Sequence, residues 1–304
     1  MSSAEFNALV NAAMSTLGRG LMRPVIEKEL LHYDILFVLG RAGLLNDLVF
    51  QGGTSLRLCY GGTRYSEDLD FAGGVDFSTP KLLKIKQVVE EYVGKRYGLV
   101  VTVKQPAELK TDPAYGEVNI NKWQVSVETD PGRKDTPNQR IKLEVASVQA
   151  HTRVLRPLQQ NYDFLPDGYD TLLLPVQTLD EILADKLIAL PTCSRYIRHR
   201  DIWDIAWLTQ QRAEFSPELI SAKINDYGIE NYAEAVHHFQ QRLPDIVNGK
   251  DFRSQMARFI PVDVQERTLN QAGFMEYLIS TNTDWLGKAA QVPEGSMGGS
   301  DFVM

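Results

Sequence analysis

Apolar residues recur along this chain with two different periods, and the second half of the chain keeps only one of them. In the first half, segments with an apolar residue every three to four positions alternate with short runs in which every second residue is apolar. This pattern predicts helices over residues 4–17, 24–43 and about 80–95, and strands over residues 48–50, 68–71, 99–103, 118–128 and 140–145. Such mixing of strands and helices is typical of an α/β or α+β domain built on one sheet.

After residue 175 only the helical period remains. Thr178 and Glu181 form a capping-box pattern that predicts a helix to residue 190. Further helices are predicted over residues 201–210, from residue 216, over residues 230–243 and over residues 267–286. Residues 151–175 hold several prolines and little periodicity, which is typical of a linker. We therefore predict a first domain over residues 1–150, a linker over 151–175, a helical domain over 176–290 and a flexible tail over 291–304.

Candidate chemistry is concentrated in one stretch, FQGGTSLRLCYGGTRYSEDLDF, residues 50–71. Gly52 and Gly53 follow a predicted strand, and glycines before a helix let backbone N–H groups approach an anion such as a phosphate. Alternation puts Asp68 and Asp70 on one face of the next strand, where they repel each other unless a cation lies between them. A phosphate site beside a pair of carboxylates that favours a divalent metal is the apparatus of nucleotidyl transfer.

These residues resemble a known family. GGTS at residues 52–55, followed after twelve residues by DLD at 68–70, resembles the signature of the DNA polymerase β-like nucleotidyltransferase superfamily. The longer pattern, GGTSLRL followed by RYSEDLDF, resembles the AbiEii/AbiGii-type toxins, which include the MenT toxins of mycobacteria. The resemblance implies a polymerase β-like mixed sheet with flanking helices, a helical C-terminal domain, and an enzyme that uses Mg²⁺ and an NTP.

The resemblance also implies roles for individual residues. Asp68 and Asp70 match the catalytic metal ligands, and Glu144 on the strand over 140–145 resembles the third carboxylate of the superfamily. The nucleotide-binding residues that it implies here are Gly52, Gly53, Thr54, Ser55 and Arg64. Without the family pattern, each has an ordinary alternative. The two aspartates could be solvated on an edge strand, the hydroxyls could cap a helix, and Glu144 could alternate on a half-exposed strand.

A second block, DEILADKLIALPTCSRYIRHRDIWDIAWL, resembles the part of the same family in which a lysine-led helix precedes an RDxxD helix. Lys186 matches the lysine, and Asp201 and Asp204 match the two aspartates. The resemblance implies that Lys186 neutralises triphosphate charge and that an aspartate orients it or binds ribose hydroxyls. Spacing does not decide between the aspartates, although we favour Asp201 as catalytic and Asp204 as a nucleotide contact. The alternative for Lys186 is an exposed ion-pair network with neighbouring acids of its own helix.

The amino-acid composition limits the kinds of partner and site that the protein can have. The net charge of −7 over 304 residues argues against a surface that binds nucleic acid everywhere, so any RNA contact must be local, for example around Arg195, Arg198 and Arg200. No apolar run reaches the length of a membrane span and the first residues do not form a signal-peptide pattern, which predicts a cytoplasmic protein. The two cysteines lie among apolar neighbours, which argues against a disulfide or a zinc site.

The resemblance implies transfer of a nucleotide from an NTP to an acceptor, often the 3′ end of tRNA, by the toxin of a type IV toxin–antitoxin pair whose partner is an AbiEi-type antitoxin. Two other functions stay open at this point. One is a transferase on the same fold that modifies a small molecule or a protein. The other is a non-catalytic NTP-binding module, against which the presence of all three candidate carboxylates argues.

Overall fold

The computed structural model describes residues 3–16, 18–78, 82–108, 119–132, 137–166 and 168–293. Parts of several predictions lie outside these residues: the helix start near residue 80, the first residue of the strand over 118–128, four residues of the loop after that strand, and most of the tail over 291–304. The chain divides into two compact units. Unit 1 comprises residues 1–178 and 256–270, and unit 2 comprises residues 179–255 and 271–304.

The helices and strands of the first 178 residues are as follows. The helices are α1 (Ser3–Met14), α2 (Arg23–Arg41), α3 (Gly52–Tyr60) and α4 (Ile85–Tyr97). The strands are β1 (Val49–Gln51), β2 (Leu69–Ala72), β3 (Val100–Lys104), β4 (Ile120–Glu128), β5 (Gln139–Ala146), β6 (Val154–Pro157) and β7 (Leu173–Val176). A short 3-10 helix, Pro106–Glu108, follows β3.

The remaining described helices follow in chain order. They are α5 (Leu179–Thr192), α6 (His199–Gln210), α7 (Pro217–Asp226), α8 (Tyr232–Asn248), α9 (Lys250–Ala257), α10 (Val262–Arg267) and α11 (Ala272–Ala289). The helical character predicted for this half is therefore confirmed. None of the helices in the described parts of the chain combines the length and the apolar character needed to cross a membrane.

The seven strands form one sheet in the order β3-β4-β5-β2-β1-β7-β6. β2 pairs in parallel with β5, and β1 pairs in parallel with β7, while the other neighbours are antiparallel. The predicted mixed sheet is thus confirmed. Its middle strand is β2 with β1 beside it, and along the chain these two strands flank the glycine pair of the candidate stretch.

One face of this sheet is apolar and is covered by helices. Alternate residues of β4 and β5 are fully buried there, as the period of a strand requires: Trp123, Val125, Val127, Ile141, Leu143 and Val145. Helix α2 packs against β5 and α4 packs against β3 and α2. Arg57 of α3 donates two hydrogen bonds, of 2.8 and 3.0 Å, to the buried carboxylate of Glu29 on α2, which ties α3 to this layer.

The structure differs from the predicted domain ranges at two places. The segment predicted as a linker over residues 151–175 contains β6 and most of β7, which pair with each other and extend the sheet beyond β1. Residues 256–270 belong to unit 1 although they lie far along the helical half. Their contacts include hydrogen bonds from the Tyr65 N–H to the Phe259 carbonyl, 2.8 Å, and from the Val262 N–H to the Gly18 carbonyl, 2.9 Å.

Candidate active site

A row of polar residues crosses the sheet on the face opposite the apolar core. Strand register pairs Gln51 of β1 with Asp70 of β2, Asp70 with Glu144 of β5, and Glu144 with Lys122 of β4. Side chains of register partners point to the same face and lie about 5 Å apart at their Cβ atoms. The sheet therefore brings together the predicted carboxylates Asp70 and Glu144, and it adds a lysine and a glutamine on either side of them.

Asp68 lies two residues before Asp70 and is fixed by the backbone around it. Its Oδ1 accepts a hydrogen bond of 3.2 Å from the Lys142 N–H, so its carboxylate is held toward β5. Its carbonyl accepts a hydrogen bond from the Thr54 hydroxyl, which links the entry of β2 to α3. Leu69 between the two aspartates is fully buried on the other face. The predicted alternation of this triplet is present in the structure.

The glycine pair at the start of α3 lies directly against the charged residues. Gly52 has φ +77, and a Cβ at this position would lie 2.9 Å from Asp70 Oδ2. A Cβ on Gly53 would overlap the guanidinium group of Arg64, which is buried and donates a hydrogen bond of 2.9 Å to the Tyr65 carbonyl. Both positions need glycine because a carboxylate and a guanidinium occupy the space of the missing side chains.

The first turn of α3 offers backbone donors to an anion. The helix begins at Gly52, and Gln51 at its N-cap makes no side-chain cap hydrogen bond. The first N–H groups of a helix have no acceptor within it, and together with the helix dipole they favour a bound phosphate. The hydroxyls of Thr54 and Ser55 are buried and donate to backbone carbonyls, Ser55 to that of Gly52 at 2.8 Å. Phosphate binding at this turn would therefore use backbone N–H groups in the first place.

The carboxylates provide ligands that suit a hard divalent cation. Asp70 and Glu144 are oxygen donors on one face of adjacent strands, and Asp68 lies just before β2. Oxygen is the ligand type that Mg²⁺ prefers. In the structure, Glu144 Oε1 lies 3.0 Å from Lys122 Nζ. Among the residues that the structure describes, no three His, Cys, Asp or Glu side chains are grouped closely enough to hold a metal. The donor set fits Mg²⁺, and rotation of these side chains would be needed to complete the coordination.

A second charged cluster lies within unit 2, between α5 and α6. Lys186 Nζ lies 2.8 Å from Asp201 Oδ1 and 2.7 Å from Asp204 Oδ2, and all three side chains are at most 6% exposed. Arg198 forms a further ion pair with Asp201. The exposed network considered as the alternative for Lys186 is wrong, because Lys186 is buried. Glu181 and Asp185 form ion pairs with Lys223, at 2.7 and 3.1 Å. Lys186 contacts both aspartates, so this geometry leaves the choice between them open.

The cluster also shifts the protonation of Asp201. Burial alone would raise the pKa of this carboxyl group, since a charge is poorly solvated inside a protein. The adjacent Arg198 guanidinium and Lys186 ammonium outweigh that effect and hold the pKa of Asp201 well below its usual range. The two cations therefore favour the ionised form of Asp201.

Comparison with known proteins identifies the family of this chain. Residues 34–278 match the family described as the nucleotidyl transferase AbiEii toxin of a type IV toxin–antitoxin system. The chain belongs to the AbiEii nucleotidyltransferase toxin family. The predicted family resemblance and the predicted enzyme class, a nucleotidyltransferase, are thus confirmed. No curated protein sequence matches the chain.

Solved structures support the fold of this AbiEii family member. MenT4, a nucleotidyltransferase toxin from Mycobacterium tuberculosis H37Rv, is 18% identical and covers 97% of this chain and 94% of its own, with a TM-score of 0.57. JHP933 from Helicobacter pylori is 19% identical and covers 88% of this chain and 91% of its own, with a TM-score of 0.47. At this sequence identity, the similarity to MenT4 shows the fold alone. The similarity to JHP933, with its lower TM-score, supports no further conclusion.

Sequence reasoning missed two members of the row in this AbiEii protein. Gln51 and Lys122 were not singled out, because a lone glutamine or lysine on a strand carries no chemical signature. The available signal was alternation, since Lys122 lies on the face of β4 opposite the buried Trp123 and Val125. Strand register then decides that Lys122 faces Glu144, and register between distant strands cannot be read from one sequence.

Proposed function

We propose that this AbiEii toxin transfers a nucleotide from an NTP to the 3′ end of an RNA, specifically tRNA, in a Mg²⁺-dependent reaction. The observation that carries the proposal is the register of Asp70 with Glu144 immediately beside the open first turn of α3. Carboxylates for a metal and backbone donors for a phosphate are then within one small part of unit 1. Neither group alone would suggest nucleotidyl transfer, whereas their adjacency does.

The candidate residues of unit 1 each have a role in the proposed reaction. Asp68, Asp70 and Glu144 would hold Mg²⁺, which when bound supplies charge neutralisation for the triphosphate and activation of the attacking oxygen. The backbone at Gly52 and Gly53 binds the β- and γ-phosphates, with Thr54 and Ser55 fixing the turn. Arg64 contributes positive charge beside the same turn.

The reaction itself is a displacement at phosphorus. The acceptor 3′ hydroxyl oxygen forms a bond to the α-phosphorus of the NTP, and the bond from that phosphorus to the bridging oxygen breaks, so that pyrophosphate leaves. The hydroxyl proton passes to a carboxylate oxygen of Glu144. Developing charge on the pyrophosphate is stabilised by the backbone N–H groups of α3. For Lys186, Asp201 and Asp204 of unit 2, the proposal is the role toward the nucleotide that the family resemblance implies.

Membership of a type IV toxin–antitoxin family supports an antitoxin partner, which we propose to be of the AbiEi type, and an NTP substrate. The net charge of −7 favours a second candidate acceptor, a small molecule or a protein side chain, because an acidic surface does not attract polyanions. The two acceptors are distinguished by the sensitivity of the labelled product to ribonuclease.

The test is a labelling assay with purified protein, Mg²⁺, each labelled NTP and total tRNA. We expect labelled tRNA from the wild type and a loss of roughly a hundredfold or more for Asp70→Asn, because a lost metal ligand removes several kcal/mol of transition-state stabilisation. Asp76→Asn, an exposed aspartate just beyond β2, is the matched control and should label normally.

Full labelling by Asp70→Asn would refute the proposed site. A product that survives ribonuclease would move the acceptor to a small molecule or a protein while leaving the chemistry intact. Chelation of divalent cations with EDTA should abolish labelling, and activity that persists in EDTA would refute the metal dependence.

A further inference from the structure

Lys122 forms an ion pair inside the carboxylate row. It is the register partner of Glu144, and its Nζ lies 3.0 Å from Glu144 Oε1. The row continues without interruption to Asp70 and Gln51 on the same face of the sheet. The side chains of Lys122 and Glu144 are 23% and 15% exposed, so water screens this pair less than it screens a fully exposed one.

An ammonium group and a divalent cation compete for the same carboxylate. A contact of 3.0 Å between charged groups is a charge-assisted hydrogen bond, and a metal that takes Glu144 as a ligand must displace Nζ from that oxygen. This displacement uses part of the binding free energy of the metal. Free metal therefore binds this set of carboxylates more weakly than it would bind the same set without the lysine.

An incoming nucleotide changes this balance. The triphosphate carries several negative charges into the row, and it offers the ammonium of Lys122 new oxygen partners when Glu144 turns to the metal. The long, flexible side chain of a lysine can follow such a change over several ångströms without movement of β4. The lysine then has a partner both before and after the metal binds.

We propose that Lys122 is a positioning residue that holds Glu144 until an NTP arrives, so that the divalent metal binds together with the nucleotide rather than before it. This inference rests on the proposed metal role of Asp68, Asp70 and Glu144. It goes beyond that role because it names the residue that sets the order of binding and predicts weak binding of metal alone.

The test measures Mn²⁺ binding to the full chain without substrates, from the electron paramagnetic resonance signal of free Mn²⁺. Lys122→Met should bind Mn²⁺ roughly tenfold more tightly than the wild type, and Lys122→Arg should bind like the wild type. Lys142→Met is the matched control, because Lys142 lies on the same face of β5 two residues from Glu144 and is exposed. It should change the affinity by less than about threefold. A non-hydrolysable NTP should reduce the difference between wild type and Lys122→Met to within about threefold.

The possible outcomes separate this inference from the proposed function. Equal Mn²⁺ affinity of Lys122→Met and wild type, or an equal gain in Lys142→Met, would overturn the role of Lys122 and leave the labelling result untouched. A gain that persists in the double variant Lys122→Met with Glu144→Gln would also overturn it, because the competition requires Glu144. Absence of Mn²⁺ binding in every variant, with and without nucleotide, would refute both the inference and the metal site. If Lys122→Met does not fold, Lys122→Gln serves in its place.

Discussion

At the scale of single residues, the missing side chain of Gly52 is as important for the candidate site as the carboxylates beside it. Its φ of +77 allows β1 to turn directly into α3, and its hydrogen faces the Asp70 carboxylate at close range. A side chain here would act on the backbone and on Asp70 at once. The chain contains a glycine that separates these two effects, Gly61, which has φ +78 and open space around its Cβ position.

We expect Gly52→Ala to lose nucleotide transfer and Gly61→Ala to keep it. Both alanines adopt a left-handed backbone conformation at a cost of about 1–2 kcal/mol, so both should lower the melting temperature by a similar amount. Only the Cβ of Gly52→Ala meets an atom of the site, Asp70 Oδ2 at 2.9 Å. Asp70 must move to relieve this contact, and a displacement of about 1 Å at reacting groups reduces the rate roughly a hundredfold. Initial labelling rates and melting curves of the two variants measure this; similar rates would show that Asp70 tolerates displacement.

Which residues of the site could be predicted follows from how local their geometry is. The sequence predicts that Asp68 and Asp70 share a face, because they are two residues apart, and the glycine pair predicts a turn. By contrast, the burial of the Ser55 hydroxyl and the proximity of Arg64 to Gly53 depend on how α3 packs after the chain has folded back. Such contacts have no signature in a single sequence.

At the scale of elements, the misassigned segment is the pair β6 and β7. Pro157 and Pro175 suggested a linker, since proline has no N–H to donate to a sheet. In the structure β6 is the last strand of the sheet and ends at Pro157, while Pro175 lies in β7 opposite Leu155 of β6. The register of β7 with β1 has the single pair Phe50–Val176, so Pro175 is not a partner of β1. The prediction differs from the structure because an edge strand such as β6 tolerates proline, and so does β7 at a position that is not paired with β1.

The helix pair α5 and α6 carries a prediction about stability and pH. The pKa of Asp201 is lower in the folded protein than the value of about 3.9 in an unfolded chain, so its ion pairs stabilise the fold above that pH and the stabilisation is lost as the pH falls further. Between pH 6 and pH 3, Asp201→Asn should therefore lose less unfolding free energy than the wild type, by about 1 kcal/mol. Urea denaturation at several pH values measures the difference.

A control of opposite sign lies in unit 1. Burial raises the pKa of Asp34 to about 6, against the opposing effect of Arg96. Its folded pKa exceeds the unfolded value, so wild-type stability from this group falls as the pH rises from 4 to 6. Asp34→Asn should remove that decrease in stability.

For the first of these two predictions, identical pH profiles of Asp201→Asn and the wild type would contradict the ionised cluster of α5 and α6.

At the scale of the whole molecule, charge limits how RNA can be bound. A net charge of −7 argues against an extended basic surface, so we expect few phosphate contacts and an affinity for RNA that depends weakly on salt. We expect KM for tRNA to rise roughly tenfold between 50 and 200 mM salt, which corresponds to about two phosphate contacts; six to ten contacts would give 10³ or more. Labelling kinetics at fixed NTP measure the slope, and a slope of the larger size would point to an extended basic surface.

The order of the two units along the chain has a consequence for synthesis on the ribosome. Unit 1 takes its last segment, residues 256–270, from a point that the ribosome reaches only after α5 to α8 have been made. A nascent chain that ends at residue 178 already holds every carboxylate of the row but lacks Phe259, whose carbonyl receives the N–H of Tyr65. Unit 1, which carries the proposed metal ligands, is thus completed late, and a chain that ends before residue 256 lacks part of the scaffold of this unit.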